Sequence, residues 1–311
     1  MRMKLSSIGE RGLIRRLSSF LDIGDDAAYI RHEDAFLVLT TDMMYEKTHV
    51  LPGMDYRDIG RFIVNVNASD VASMGAKPLA FLLSCGLPDI EVKDFDALTH
   101  AVHLECRKYG MEYAGGDTKQ SDVLTLAGFC IGTTKKPILR SGARAGDIVA
   151  VTGSLGSASL GTHMLLNGLD CKGFKGIVDK ARKPKARVAE GLILGKYASA
   201  MTDISDSLSI SLYNVAQASG VGVKVFAGKL PIDDAAKRLA EKYAIDVTAC
   251  ALYGGGDYEL LFTMPKKDFI KVKDKVKATE IGMVTKKGAS LFMGGKETRF
   301  VRKGFEHFSA K

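Results

Sequence analysis

The sequence predicts an α/β (α+β) protein of two domains, on three observations. Short apolar runs such as 36–41 and helical repeats such as 55–74 alternate irregularly along the whole chain, a pattern of mixed sheet and helix layers. The chain has 311 residues, 46 % apolar and 26 % charged, enough for two ordinary cores and unlike a disordered composition. Lys135-Lys136-Pro137 reads as a linker, dividing an N-terminal domain, 1–138, from a C-terminal domain, 139–311.

The elements follow in order. Leu13, Ile14, Leu17 and Phe20 have helical spacing, so 10–20 is a short helix. Residues 36–41 form a buried strand with Asp42 at its exit. In 55–74, Ile59, Ile63, Val66, Asp70 and Met74 fall on one helix side, and Gly75 and Pro78 stop the helix. Residues 80–85 form a strand, 94–109 a helix, and 123–133 a strand after Gly115-Gly116-Asp117. In the second half 147–153 is a strand and a helix runs to Asn167. Residues 168–186, rich in Gly, Lys and Arg, loop outward. Residues 186–197 form a helix. Another helix, capped by Ser205 or Asp206, ends at Gly220. Strand 221–226, helix 235–243 and strand 258–263 complete the reading.

Composition removes several function classes. No apolar run approaches the ~20 residues of a membrane span, and Met1-Arg2-Met3-Lys4-Leu5-Ser6 lacks the apolar core of a signal peptide. Cysteines 85, 106, 130, 171 and 250 include no Cys-x-x-Cys pair, so neither a disulfide framework nor a zinc ribbon is expected. A cytoplasmic protein with reduced thiols fits. The net charge is +8, but the lysines of 266–277 read as a solvated helix face without stacking aromatics. Neither a nucleic acid nor a membrane is expected as partner.

The acids carry the chemistry. Asp25-Asp26 follows Gly24 and precedes Ala27-Ala28. Asp42 ends an apolar run, Asp70 lies within an apolar helix stripe, Asp117 follows two glycines, and Asp203 and Asp206 bracket Ile204-Ser205. Oxygen ligands spread through the chain suit a hard cation such as magnesium, held together with substrate phosphates. The structural alternatives are a buried ion pair for Asp70 and helix capping for Asp203 and Asp206. Gly153-Ser154-Leu155-Gly156 matches neither a dinucleotide fingerprint nor a P-loop and reads as tight packing. His100, His103 and Cys106 share a helix face but lack a fourth zinc ligand.

Taken in order, these stretches resemble the thiamine-monophosphate kinase family of the aminoimidazole ribonucleotide synthetase-like superfamily. The resemblance runs from Ser7-Ile8-Gly9-Glu10 through Gly24-Asp25-Asp26-Ala27-Ala28, Thr40-Thr41-Asp42, Asn67-Ala68-Ser69-Asp70 and Gly115-Gly116-Asp117-Thr118. It continues through Arg140-Ser141-Gly142, Asp203-Ile204-Ser205-Asp206 and Gly255-Gly256-Asp257-Tyr258-Glu259 to Lys303-Gly304-Phe305. It implies the two-domain fold of that superfamily, with the N-terminal sheet pairing in a homodimer. It implies ATP-dependent phosphorylation of thiamine monophosphate to thiamine diphosphate by direct in-line transfer, with several magnesium ions and no catalytic side chain. It implies metal ligands at Asp26, Thr40, Thr41, Asp42, Asp70, Asp117, Asp203 and Asp206. It implies ATP contacts at Gly116, Asp117, Arg140 and Ser205, and substrate contacts at His49, Gly256 and Phe305. The chain departs from the family pattern at Gly256 (usually Glu), at Ser207 (usually Gly) and at Lys119-Gln120 (usually Thr-Arg). The competing readings are another ATP-dependent enzyme of the superfamily, aminoimidazole ribonucleotide synthetase-like, and a non-catalytic nucleotide- or metal-binding protein.

Overall fold

A computed structural model describes residues 4–308. Met1–Met3, on which half of the signal-peptide reading rests, lie outside the described residues. The first half runs α1 (Gly9–Leu17), β1 (Ala28–His32), β2 (Ala35–Tyr45), α2 (Glu46–His49), α3 (Tyr56–Ser73), β3 (Lys77–Leu87), α4 (Val92–Lys108), β4 (Glu112–Gln120) and β5 (Thr125–Thr134). Its sheet has the order β1-β2-β5-β3-β4, with only β3 and β4 parallel. Helix α3 forms because Asp55 caps it, accepting from the Asp58 amide at 2.9 Å, and because its apolar stripe has a sheet to cover. Ile63, Val64, Ala68, Val71 and Ala72 are fully buried. The alternation of β2 shows the result: Val38, Thr40 and Met44 are buried beneath the helices, while Met43 is 62 % exposed on the opposite face. Leu82 and Phe129 lie on that same open face.

The second half runs β6 (Ile148–Thr152), α5 (Ser157–Leu166), α6 (Lys175–Arg182), α7 (Val188–Leu194), β7 (Ala200–Asp203), α8 (Leu208–Ser219), β8 (Gly222–Phe226), α9 (Asp234–Lys242), α10 (Val247–Tyr253), β9 (Leu260–Met264), α11 (Lys266–Val272), β10 (Ala278–Thr285), β11 (Ala289–Met293) and β12 (Lys296–Arg299). The sheet order is β12-β11-β8-β10-β6-β9-β7, around a core of Val149, Val151, Leu208, Val225 and Leu261. The two-layered α/β class expected from the sequence is the observed one.

Three expectations change and one strand is added. Strand β2 runs through Asp42 to Tyr45, so Asp42 sits inside a strand and not at its exit. Gly115-Gly116-Asp117, unassigned from the sequence, lies within β4. Gly116 is needed there because a Cβ would stand 1.8 Å from the Leu83 carbonyl oxygen. Residues 168–186 contain α6, which buries Ile177, Val178 and Ala181 against α5. Helix α8 is capped by neither Ser205 nor Asp206 but by Ser207, whose hydroxyl accepts from the Ile210 amide at 3.0 Å. The same hydroxyl donates to the Lys303 carbonyl at 2.8 Å, fixing the C-terminal segment. That segment also meets α1, since the Glu10 carboxylate accepts from the His307 amide at 2.9 Å.

Candidate functional site

Four carboxylates from four segments lie within electrostatic reach of one another where the two halves touch, although among the described residues no three of them stand close enough to form a ready-made metal site. Asp26 comes from the loop before β1, Asp42 from β2, Asp70 from α3 and Asp203 from the end of β7. Asp26 is fully engaged. One carboxylate oxygen accepts from Arg140 Nε at 3.0 Å, Arg140 Nη2 at 2.5 Å and the Thr202 hydroxyl at 2.7 Å. Its other oxygen accepts from the Ser73 hydroxyl at 2.6 Å. Asp70 accepts from the Thr40 hydroxyl at 2.6 Å, and Asp203, 3 % exposed, accepts from the Ser69 hydroxyl at 2.7 Å. The Asp42 amide donates to Asn67 Oδ1 at 2.9 Å.

Electrostatics follow from this crowding. Burial, then Asp26, raises the Asp42 carboxyl to about 6. Burial, then Asp42, Asp203 and Asp26, pushes Asp70 well up. Burial, then Asp26, raises Asp203 to about 8. Among the described residues Arg140 is the cation that lies against the cluster, and Asp26 holds it. Buried carboxylates without matching positive charge call for a bound cation. The donors are carboxylate and hydroxyl oxygens only, a set that fits magnesium better than a softer metal. The Asp70 ion-pair alternative fails, because the partner of Asp70 is a hydroxyl.

Asp206 stands at the edge of the cluster, its pKa raised to about 6 by burial and then Glu10. Ser205 lies in the same turn, its carbonyl accepting from the Gly256 amide at 2.6 Å. Asp117 is not in the cluster. Its side chain is 63 % exposed and pairs with Lys119 at 3.3 Å. Across the sheet, Asp42 is registered with Gly128, Gly128 with Leu83, and Leu83 with Gly116. Asp117 is therefore three strand spacings away, roughly 14 Å. It also lies on the opposite face, in the row of Met43, Ala127 and Ser84. Thr41 shares that open face.

The substrate-side residues gather on the other flank. The His49 ring lies 6.1 Å from His307 and 6.5 Å from Phe62, and Phe305 lies edge-on to His307 at 4.8 Å. Burial lowers the His49 pKa. Gly256 has φ +88°, and a Cβ there would meet only Ala158 at 3.6 Å. Near α5, Asp257 accepts from the Gly156 and Ala158 amides at 2.7 and 3.2 Å. The end of the Gly153–Gly156 turn that would hold phosphate is thus filled by the chain's own carboxylate.

Sequence reasoning missed Tyr258. It packs on the first-half core, 6.3 Å from Phe62. Burial raises its pKa well up, with Asp42, Asp203, Asp70 and Asp206 adding to the effect. It missed Asn67, Ser69 and Ser73 too, all buried on α3. Their signal was available: polar residues three and one before Asp70 and three after it, on the mainly apolar second half of the helix. A surface cavity of about 500 Å³ lies elsewhere, between α3 and α4 beside Arg57, Arg61 and His100, and no cluster carboxylate lines it.

The model of the AIR synthase related protein, N-terminal domain, matches residues 24–134, and that of the C-terminal domain matches 144–293. The thiamine-monophosphate kinase of Aquifex aeolicus (strain VF5) is 36 % identical over 98 % of this chain and 100 % of its own. That of Methanospirillum hungatei JF-1 is 37 % identical over 95 % and 96 %. The solved structure of AaThiL complexed with AMPPCP and TMP superposes with a TM-score of 0.92 at 35 % identity, covering 99 % of each chain.

Proposed function

The chain belongs to the AIR synthase related proteins and, among them, to the thiamine-monophosphate kinases, and from that membership we infer that it transfers the γ-phosphate of ATP to thiamine monophosphate. The observation that supports this reading is the gathering of Asp26, Asp42, Asp70 and Asp203, from both halves, with Asp26, Asp70 and Asp203 each bonded to a hydroxyl. Asp26, Thr40, Asp42, Asp70, Asp203 and Asp206 would hold magnesium. Magnesium bound there supplies charge neutralisation for the transferring phosphoryl group.

The chain's own residues do the rest. Arg140 and Ser205 face the nucleotide. His49, Phe305 and the open space at Gly256 form the substrate flank. The acceptor is a phosphate whose second ionisation lies near pH ~6, so its attacking oxygen is already anionic at neutral pH. A base would have little to remove, and transfer is direct and in line.

Gly116, Thr41 and Asp117 would reach the site from a second copy. Two oxygens on one magnesium lie within roughly 4 Å of each other, so Asp117 and Asp42 of one protomer cannot share an ion. The first sheet has an apolar open face. It also has open edges along β4 and along β2 beyond Leu39, where β1 stops pairing. Such edges pair with another chain unless they are protected. A homodimer joined through this sheet, bringing β4 of one copy beside β2 of the other, completes the ligand set. The division at 138/139 and a cytoplasmic setting belong to the same reading. No helix among the described residues is long and apolar enough to cross a membrane.

The test is ATP turnover against a panel of phosphorylated acceptors with magnesium. The expected result is turnover that depends on thiamine monophosphate. Turnover with an aminoimidazole precursor in its place, or none with any acceptor, would establish a competing reading.

A further inference from the structure

Tyr258 is held in a backbone conformation that side chains rarely adopt, with φ +49°. Strain of this kind persists where the surroundings over-determine it, and it gathers at functional sites. The surroundings are explicit. On one side Asp257 is fixed by two amides at the start of α5. On the other, Glu259 accepts from Arg187 Nε at 2.6 Å and from the Thr152 hydroxyl at 2.7 Å. Between these anchors the Tyr258 amide donates to the Ile204 carbonyl at 2.9 Å, and the Glu259 carbonyl accepts from the Ile204 amide at 2.9 Å. The side chain has nowhere to go but across the seam, onto Phe62 and the first-half core.

Its position is informative. One flank is the ring series Phe62, His49, His307 and Phe305. The other flank is the carboxylate cluster. Glu259, Asp257 and the Tyr258 amide are all satisfied, yet the Tyr258 hydroxyl has no hydrogen-bond partner among the described residues. A half-buried phenol is a donor that ordinarily finds an acceptor. Resting on the kinase reading, the group that must lie between an aromatic-held substrate and metal-held nucleotide phosphates is the acceptor phosphate.

We propose that the Tyr258 hydroxyl donates a hydrogen bond to the phosphate of the acceptor substrate and fixes its attacking oxygen in line. It moves no proton. A neutral donor suits this place, since the cluster already crowds negative charge.

The test is Tyr258→Phe, which keeps the ring, the Phe62 contact and the backbone. We expect kcat/KM for thiamine monophosphate to fall about 10- to 100-fold, the range for a hydrogen bond to a charged group. The KM for ATP should stay within about twofold and the unfolding midpoint should not move. Where turnover is too slow to time, calorimetry should show thiamine monophosphate bound about tenfold more weakly. Unchanged kcat/KM and unchanged affinity for thiamine monophosphate overturn the proposal. So does an equal loss on both substrates with a lowered midpoint, which would mark a packing role. An inactive parent enzyme would instead count against the kinase reading itself.

Discussion

Asp117→Asn and Asp203→Asn, each inactive alone, should restore activity when the two proteins are mixed. Asp203 lies in the cluster of its own protomer, 3 % exposed. Asp117 lies three strand spacings from Asp42, on the other sheet face. If it serves the site of the other copy, each mixed dimer has one site carrying both defects and one carrying neither. Each single variant should lose at least ~100-fold, as expected for a ligand of the ion that neutralises the transferring phosphoryl group. Random pairing makes half the dimers mixed, each with one intact site of two, so the unfractionated mixture returns to about one quarter of the parent activity and purified mixed dimers to about one half. Co-expression with two tags, double purification and a coupled assay of ADP release read this directly. Verified mixed dimers with activity no higher than the single variants would refute the reasoning and place Asp117 in its own protomer's site or in none.

Further outcomes are expected. Asp42→Asn and Asp70→Asn should each cut turnover at least ~100-fold, yet raise the unfolding midpoint in chelator, because they relieve repulsion among buried carboxylates; near-normal rates in folded protein would undo the metal-site assignment. Arg187→Met leaves Glu259, 3 % exposed, without its cation and should lower stability by about 3 kcal/mol, measured by urea unfolding; a loss below ~1 kcal/mol would mean the pair is solvated. Gly256→Glu enters open space and should lower the KM for thiamine monophosphate, although φ +88° costs about 1–2 kcal/mol of stability; an unchanged KM removes the idea that Gly256 marks a missing contact. Transfer from ATP carrying a chiral γ-phosphorus should proceed with inversion, whereas retention would reveal a phosphoenzyme.

The parts legible in the sequence are those where local chemistry and burial agree. Helix α3 was readable because its stripe is regular and Asp55 caps it, and Asp70 was conspicuous because it broke that stripe. The carboxylates could be collected because each lies beside a glycine, a Ser or Thr, or an apolar run. Misreadings arose where a local signal was outweighed by neighbours distant in sequence. Helix α6 looked like a loop because its lysines and glycines hide only three buried residues, and α5 supplies their partner surface. Gly115-Gly116 carries no strand signature, yet β4 runs through it, and the close approach of β3 leaves room only for glycine at Gly116. Ser207 was overlooked as a cap because two better-known cap residues precede it. No spacing argument could place Asp117 on the far face, because its distance from Asp42 depends on a strand order that the sequence does not encode locally. Tyr258 escaped notice because its role depends on the anchoring of both neighbours.

Arg140 joins the halves by holding Asp26, and it is also the residue proposed to meet the nucleotide. It also donates to the Gly24 carbonyl at 3.1 Å, so three of its five N–H donors are engaged by the first half before any ligand arrives. If Arg140 also meets the nucleotide through the remaining two, Asp26 and the phosphates share one positive charge, and a divalent cation that satisfies Asp26 leaves more of that charge for the nucleotide. By reciprocity the coupling works in both directions. Nucleotide lacking a divalent cation should therefore bind poorly and be a weak inhibitor.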